Sequence, residues 1–156
     1  MSALRAVSAS DSDVLAALHG ECFPDDPWGP QAVAEVLAMP GAFGFLAVEL
    51  PAETPSGFLL ALALPEECEI LALGVRPASR RRGIAASLLA GLLAAMNGAG
   101  RAVLLEVAED NAAALGLYGG AGFAKVGCRP AYYRRGAART VAALQLRRAA
   151  AKSRDL

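Results

Sequence analysis

The stretch ILALGVRPASRRRGIAASLLAGLLAAM, residues 70–96, decides the architecture. Ile70 to Val75 is an apolar run of strand length, and the apolar residues at 84, 88, 89, 92, 93 and 96 repeat near the 3.6 period of a helix. Between them lies Arg80-Arg81-Arg82-Gly83-Ile84-Ala85. Where a strand gives way to a helix, the first helical N–H groups lack partners and the helix dipole adds roughly half a positive charge. An anion docks readily at such an end. Gly83 has no side chain to obstruct a phosphate, Ala85 keeps the next position small, and three guanidinium groups add forked donors. The segment reads as a grip for a polyphosphate.

What the loop lacks narrows that reading. A Walker loop needs Gly-Lys-Ser/Thr, whose lysine reaches the terminal phosphates and whose hydroxyl holds magnesium. A dinucleotide fingerprint needs three spaced glycines and an acidic residue about twenty positions later. Neither pattern is present. A metal-free grip on a diphosphate that is not cleaved suits a carrier such as coenzyme A.

Outward from this segment the chain alternates in a regular way. Ser10 or Ser12 caps a predicted helix running to about Cys22, and Pro30 opens a second that stops before Pro40-Gly41. Gly44 to Glu49, Gly57 to Leu64 and Glu69 to Val75 read as three successive strands, a meander. The helix Gly83 to Met96 and the strand Ala102 to Val107 then suggest a parallel pair joined by a crossover. A helix from about Asn111 to Gly119 follows, and strands Ala124 to Arg129 and Val141 to Leu146 close the chain around a polar, glycine-containing loop.

At 156 residues one domain with one core is expected, spanning 1–148, with 149–156 as a flexible tail. Cys22, Cys68 and Cys128 form no close metal-binding pair and cannot all pair internally, so no metal and a reduced compartment are expected. They read as small buried hydrophobes rather than acyl carriers. Met1 to Val7 lacks an apolar signal core, and the longest apolar helix is short of the roughly 20 residues that span a bilayer. A cytoplasmic protein without a membrane partner is expected. Residues 1 to 75 hold one Lys/Arg against eleven Asp/Glu, and residues 76 to 156 hold fourteen against four. Either the halves interleave in space and keep the surface soluble, or the basic half holds an anionic cofactor while acidic residues attract a cationic peptide. The arginine clusters are short in a chain of zero net charge, so nucleic acid is not expected as a partner.

Arg80-x-x-Gly83-x-Ala85 resembles the acyl-CoA motif of the GNAT N-acetyltransferases. Leu105-Glu106-Val107, Asn111-Ala112-Ala113-Ala114, Leu117-Tyr118 and Gly122-Phe123 resemble the matching series of the RimI branch, whose members acetylate protein N-termini. Weaker similarity, through Cys22-Phe23-Pro24, Pro27-Trp28 and Tyr132-Tyr133, extends it from about Val14 to Leu146. Two positions depart: Ala108 stands where the branch has arginine after Leu-Glu-Val, and Ala131 where it has asparagine before Tyr-Tyr.

The resemblance implies an α/β (α+β) fold with a mixed central sheet and helices on both faces. It implies acetyl-CoA as donor and a protein N-terminus as acceptor, the N-terminal alanine of a small-subunit ribosomal protein. It assigns the diphosphate to Arg81, Arg82, Gly83, Ile84, Ala85 and Ala86, and a backbone oxyanion donor to one of Leu73, Gly74 and Val75. Glu106 is the single charge in its apolar strand; it reads either as a strand-end carboxylate reaching water or, by resemblance, as the general base, its proton affinity raised by burial without a cationic partner. Tyr118 reads as an ordinary core tyrosine or, by resemblance, as the acid that protonates the departing thiolate. Asn111 caps its helix, and the resemblance adds a cofactor contact. Phe23, Trp28, Tyr132 and Tyr133 resemble the substrate rim, while the sole histidine, His19, has a surface or packing role. Two other functions remain open: acetylation of a lysine or small-molecule amine, and a non-catalytic acyl-CoA-binding module.

Overall fold

The computed structural model describes residues 2–137 and 139–151. A seven-stranded sheet runs in the order β1-β2-β3-β4-β5-β7-β6. Its strands are β1 (Ser2–Ala6), β2 (Ala42–Glu49), β3 (Thr54–Ala63), β4 (Glu67–Val75), β5 (Ala102–Ala108), β6 (Ala124–Arg135) and β7 (Arg139–Arg148). The helices are α1 (Ser12–Cys22), α2 (Pro30–Leu37), α3 (Ile84–Gly98) and α4 (Ala112–Gly120). Among the described residues no helix is long and apolar enough to cross a membrane.

β2, β3 and β4 form the predicted antiparallel meander, and α3 carries the chain over to a β5 parallel to β4. The apolar stripe of α3 (Ile84, Leu88, Leu89, Leu92, Leu93, Met96) packs with Leu59, Val103, Leu105 and Val107 on one face of the sheet. On the other face Leu15, Leu18 and Val33 of α1 and α2 meet Leu46, Phe58 and Leu60. Each fully buried side chain of this kind stabilises the fold by about 1.5–3 kcal/mol, so both faces contribute.

Two readings of the sequence need correction. Ser2–Ala6 is a strand, paired with β2 from Ser2↔Glu49 to Ala6↔Phe45; its short, weakly patterned segment takes strand form through that pairing rather than by propensity. The expected loop after Arg129 is instead strand: β6 reaches Arg135 and β7 begins at Arg139, leaving a short turn at Gly136. Pro130 sits within β6, which the edge position of that strand allows. The tail expected at 149–156 lies outside the described residues from 152 onward.

The feature that positions the site is a parting of two strands. β4 and β5 pair only from Glu67↔Ala102 to Ile70↔Leu105. Beyond that point β4 continues beside β3 to Val75, and β5 beside β7 to Ala108. The parting coincides with a bulge in β4, where Ala61 faces Ile70 but Leu60 faces Ala72, so that Leu71 is extra. Such a residue bends its strand and breaks the ladder locally. A gap in the middle of the sheet results.

Candidate active site

The chain enters the gap's lower lip through the loop after β4. Arg81 and Gly83 both adopt left-handed backbone (φ 65° and 76°), and a Cβ on Gly83 would have no atom within 4 Å. The first α3 bond runs from the Ser87 N–H to the Gly83 carbonyl at 3.0 Å. No side chain caps the helix, so the N–H groups of Ile84, Ala85 and Ala86 point free from its N-terminus. The arginines divide their tasks. Arg80 turns back, its Nε donating to the Val75 carbonyl at 3.0 Å, and Arg76 pairs with Glu21 at 2.9 Å. Arg82 stands 3.7 Å from Glu49 and is mostly exposed, and Arg81 is exposed with no ion pair among the described residues. Open donors, an unobstructed glycine and two exposed guanidiniums fit a diphosphate.

The upper lip is the free edge of β4. Arg76 donates its N–H to the Ser56 carbonyl, and by the alternation of an antiparallel ladder the amides of Gly74 and Ala72 also face β3. Leu73 and Val75 therefore direct their N–H groups into the gap. Gly74 allows another approach: a Cβ there would lie 2.8 Å from Cys22 Sγ and 3.0 Å from Phe58 Cε1, so glycine lets the end of α1 close on β4. Asn111 accepts the Ala114 N–H at 3.1 Å, capping α4.

Glu106 and Tyr118 occupy opposite faces of the sheet. Leu105 and Val107 pack against α3, so alternation turns Glu106 to the face that α1 and α2 leave uncovered. There it lines a groove of about 260 Å³ with Leu104, Val126, Gln145 and the β4 residues Glu67 and Glu69. The expected isolation from cations is not found. Arg129 Nε lies 3.0 Å from Glu106 Oε1, and Gln145 Nε2 donates to the same oxygen at 3.3 Å. The cause is sheet order: β7 lies beside β5 and brings Gln145 opposite Glu106, and β6 lies next to it. Tyr118 is buried in the α3 cluster with its ring against Phe123, centroids 5.4 Å apart. Burial raises the proton affinity of its phenol above the ordinary range. Among the described residues no buried side-chain nitrogen or oxygen lacks a partner, and none of those residues bonds the Tyr118 hydroxyl.

The four aromatic residues expected at the rim fall in two groups. Tyr132, 52 % exposed, meets Tyr133 edge to face, and the guanidiniums of Arg129 and Arg135 lie 5.6 Å over their rings. The Tyr133 phenol is pushed up by burial and then by the charge of Glu106. In the other group Trp28 stacks on His19 at 4.4 Å, with Phe23 at 4.8 Å from the same imidazole. His19 is buried and accepts the Trp28 N–H on Nδ1 at 3.0 Å; burial lowers its pKa to about 4. Its role is packing, beneath the rim. Cys68 is buried and pushed up to about 11, Cys22 is half-buried near Arg80, but Cys128 is exposed, against the expectation of burial. No cluster suited to a metal occurs among the described residues.

Arg129 and Gln145 were not evident from the sequence. Gln145 did carry a signal, as the one polar residue of the apolar run Val141 to Leu146. Arg129 carried none: it read as the last residue of the strand Ala124 to Arg129, with nothing to set it beside Glu106.

Comparison with known proteins agrees with this geometry. Residues 13–123 match the model of the acetyltransferase (GNAT) family. The chain is 37% identical over 143 residues to the N-alpha-acetyltransferase RimI of Mycobacterium tuberculosis, covering 84% of each chain. Its fold matches that of the ribosomal-protein-S18-alanine N-acetyltransferase from Escherichia coli with a TM-score of 0.89 at 20% identity, over 100% of this chain and 99% of that one. It also matches Arabidopsis thaliana NAA60 in complex with a bisubstrate analogue, with a TM-score of 0.79 at 22% identity over 94% and 97%. With the open helix start, the parted strands and these likenesses together, the chain belongs to the GNAT acetyltransferase family and is an acyltransferase that uses acetyl-CoA.

Proposed function

We propose that this enzyme acetylates the α-amino group of a protein N-terminus, by direct transfer, in the reduced compartment that its three free cysteines suit. The likeness to RimI and to the Escherichia coli enzyme supports an alanine-starting ribosomal protein as substrate. The observation that carries the reading is Glu106: a carboxylate on the open face, beside the parting of β4 and β5, with Oε2 accepting no hydrogen bond from a described residue.

Acetyl-CoA supplies an activated acetyl group when bound. Arg81, Arg82 and the N–H groups of Ile84 to Ala86 would hold its diphosphate, assisted by Gly83, and Asn111 would add a contact to the cofactor. The Leu73 and Val75 N–H groups, at the free edge of β4, donate to the acyl oxygen, and Gly74 keeps that edge close to α1. Glu106 takes the proton from the incoming ammonium, and Tyr118, whose raised proton affinity keeps its hydroxyl neutral, returns one to the departing sulfur. Phe23, Trp28, Tyr132 and Tyr133 guide the peptide. An α-amino group, with a reference pKa near 8 against about 10.4 for lysine, gives up its proton for roughly 3.3 kcal/mol less, which suits a single carboxylate base.

The test offers acetyl-CoA with an alanine-starting peptide and with its N-blocked, lysine-containing counterpart, using the wild type and Glu106→Gln. Acetylation of the free N-terminus alone is expected, with turnover falling about 100-fold in the variant and acetyl-CoA affinity kept. Acetylation of only the blocked peptide overturns the reading.

A further inference from the structure

Glu106 stands in an open groove that it shares with Glu67 and Glu69 of β4, and a quarter of its side chain is exposed. Like charges push such a carboxylate toward solvent, and nothing in its own strand fixes its terminal torsion. Yet both neighbours that reach it converge on one oxygen. Gln145 Nε2 donates to Oε1 at 3.3 Å, and Arg129 Nε sits 3.0 Å from the same atom.

The outer strand is shaped to permit this. A register shift between Lys125 and Gly127 makes Gly127 the direct partner of Gln145. A Cβ at Gly127 would overlap Gln145 Oε1 and lie 3.1 Å from Cδ, so the amide of Gln145 extends through space that only glycine leaves free. The amide's direction is set by its bond to the carboxylate. Oε1 of Gln145 lies toward Gly127, and the NH2 group is left for the carboxylate. A second shift, between Arg129 and Tyr133, follows directly after the arginine. Bulges of this kind re-aim side chains beside active sites.

We propose that Gln145 and Arg129 are positioning residues for acetyl transfer: they clamp Oε1 of Glu106, with Gly127 making room for the clamp, so that Oε2 alone meets the incoming amine. This rests on Glu106 being the proton acceptor. Binding of the peptide chain is left to the aromatic rim, so the clamp governs turnover rather than affinity. A misplacement of about 1 Å in a reacting group is enough to slow a reaction by as much as 100-fold, and a loosened but present carboxylate should show a part of that.

The test measures kcat and KM on the alanine-starting peptide for Gln145→Leu, Arg129→Gln and Gly127→Ala, each alone and combined with Glu106→Gln. Alone, each is expected to lower kcat by about tenfold with the peptide KM within about twofold. Combined with Glu106→Gln, none is expected to lower kcat further, because residues acting through one group are non-additive. Gly127→Ala disturbs a strand, so Gln145→Leu and Arg129→Gln, at a half-buried and an exposed position, decide the matter if it folds poorly. Wild-type kcat in both, or an equal loss in the Glu106→Gln background, overturns the clamp while leaving the base in place. A wild-type rate in Glu106→Gln itself removes Glu106 from the reaction, and the clamp with it.

Discussion

Arg135 forks onto Asp110, its Nε donating to one carboxylate oxygen at 2.9 Å and its Nη2 to the other at 3.0 Å. This pair ties the β6–β7 hairpin to the turn just before α4. Arg135 also feels the charge of Asp25 in the α1–α2 connection. The hydrogen bond from Arg135 holds the Asp110 carboxyl below its ordinary range. A depressed carboxyl contributes above its unfolded value and loses that contribution as pH falls through its folded one. The tie should therefore persist at pH 5 and fail only below the usual carboxylate range. Hydrogen exchange at Tyr132 to Arg135, followed against pH, checks this; Asp110→Asn should show fast exchange at every pH and raise the peptide KM by roughly twofold to fivefold, the scale of an exposed ion pair.

Tyr118 separates fold from chemistry. Its ring is 6 % exposed, but its hydroxyl bonds to no described residue. Tyr118→Phe should keep stability within about 1 kcal/mol while lowering kcat by about 10- to 100-fold. Tyr118→Ala should lose about 3–5 kcal/mol by opening a cavity under Phe123. Chemical denaturation and steady-state rates on the two variants make the comparison, and an unaltered kcat in Tyr118→Phe rules out the acid role. Because burial raises this phenol, no basic limb below its ordinary value near 10 is expected to come from it.

His19 gives the fold an acid sensitivity. Its pKa falls to about 4 in the folded chain, so between the ordinary 6.5 and 4 the unfolded chain binds the extra proton. Stability rises with pH across that window and is lost as pH falls through it, by about 2–3 kcal/mol. His19→Phe removes the titrating ring, and its unfolding free energy should lose most of this slope. Its plateau should drop by about 1 kcal/mol for the missing acceptor of the Trp28 N–H. Denaturant titrations at pH 7 and pH 4.5 supply the measurement.

Much of the architecture was legible because local pattern and tertiary role agreed. The α3 stripe, the meander and the crossover all follow from periodicity and punctuation, and the strand-to-helix loop from Arg80 to Ala85 could be located from residue chemistry alone. What escaped depends on which strands become neighbours. Ser2–Ala6 is strand because β2 offers a partner, and the parting of β4 from β5 follows from one extra residue, Leu71, that no apolar pattern betrays. Glu106 was visible as a lone charge, but its cationic neighbour was not: Arg129 reaches it only because β7 inserts between β5 and β6, a non-local choice of sheet order.

The outermost strand carries one more implication. β6 borders the sheet over twelve residues and is solvated along most of its length. A long free border is an invitation for another chain to add itself and start aggregation. Here Pro130 lacks a donor, Ala131 turns left-handed at φ 51°, the register slips twice, and arginines stand at 129, 134 and 135. These irregularities keep foreign strands from zippering onto the border. The same interruptions that set Tyr132 and Tyr133 in place thus also blunt the border against the addition of another strand.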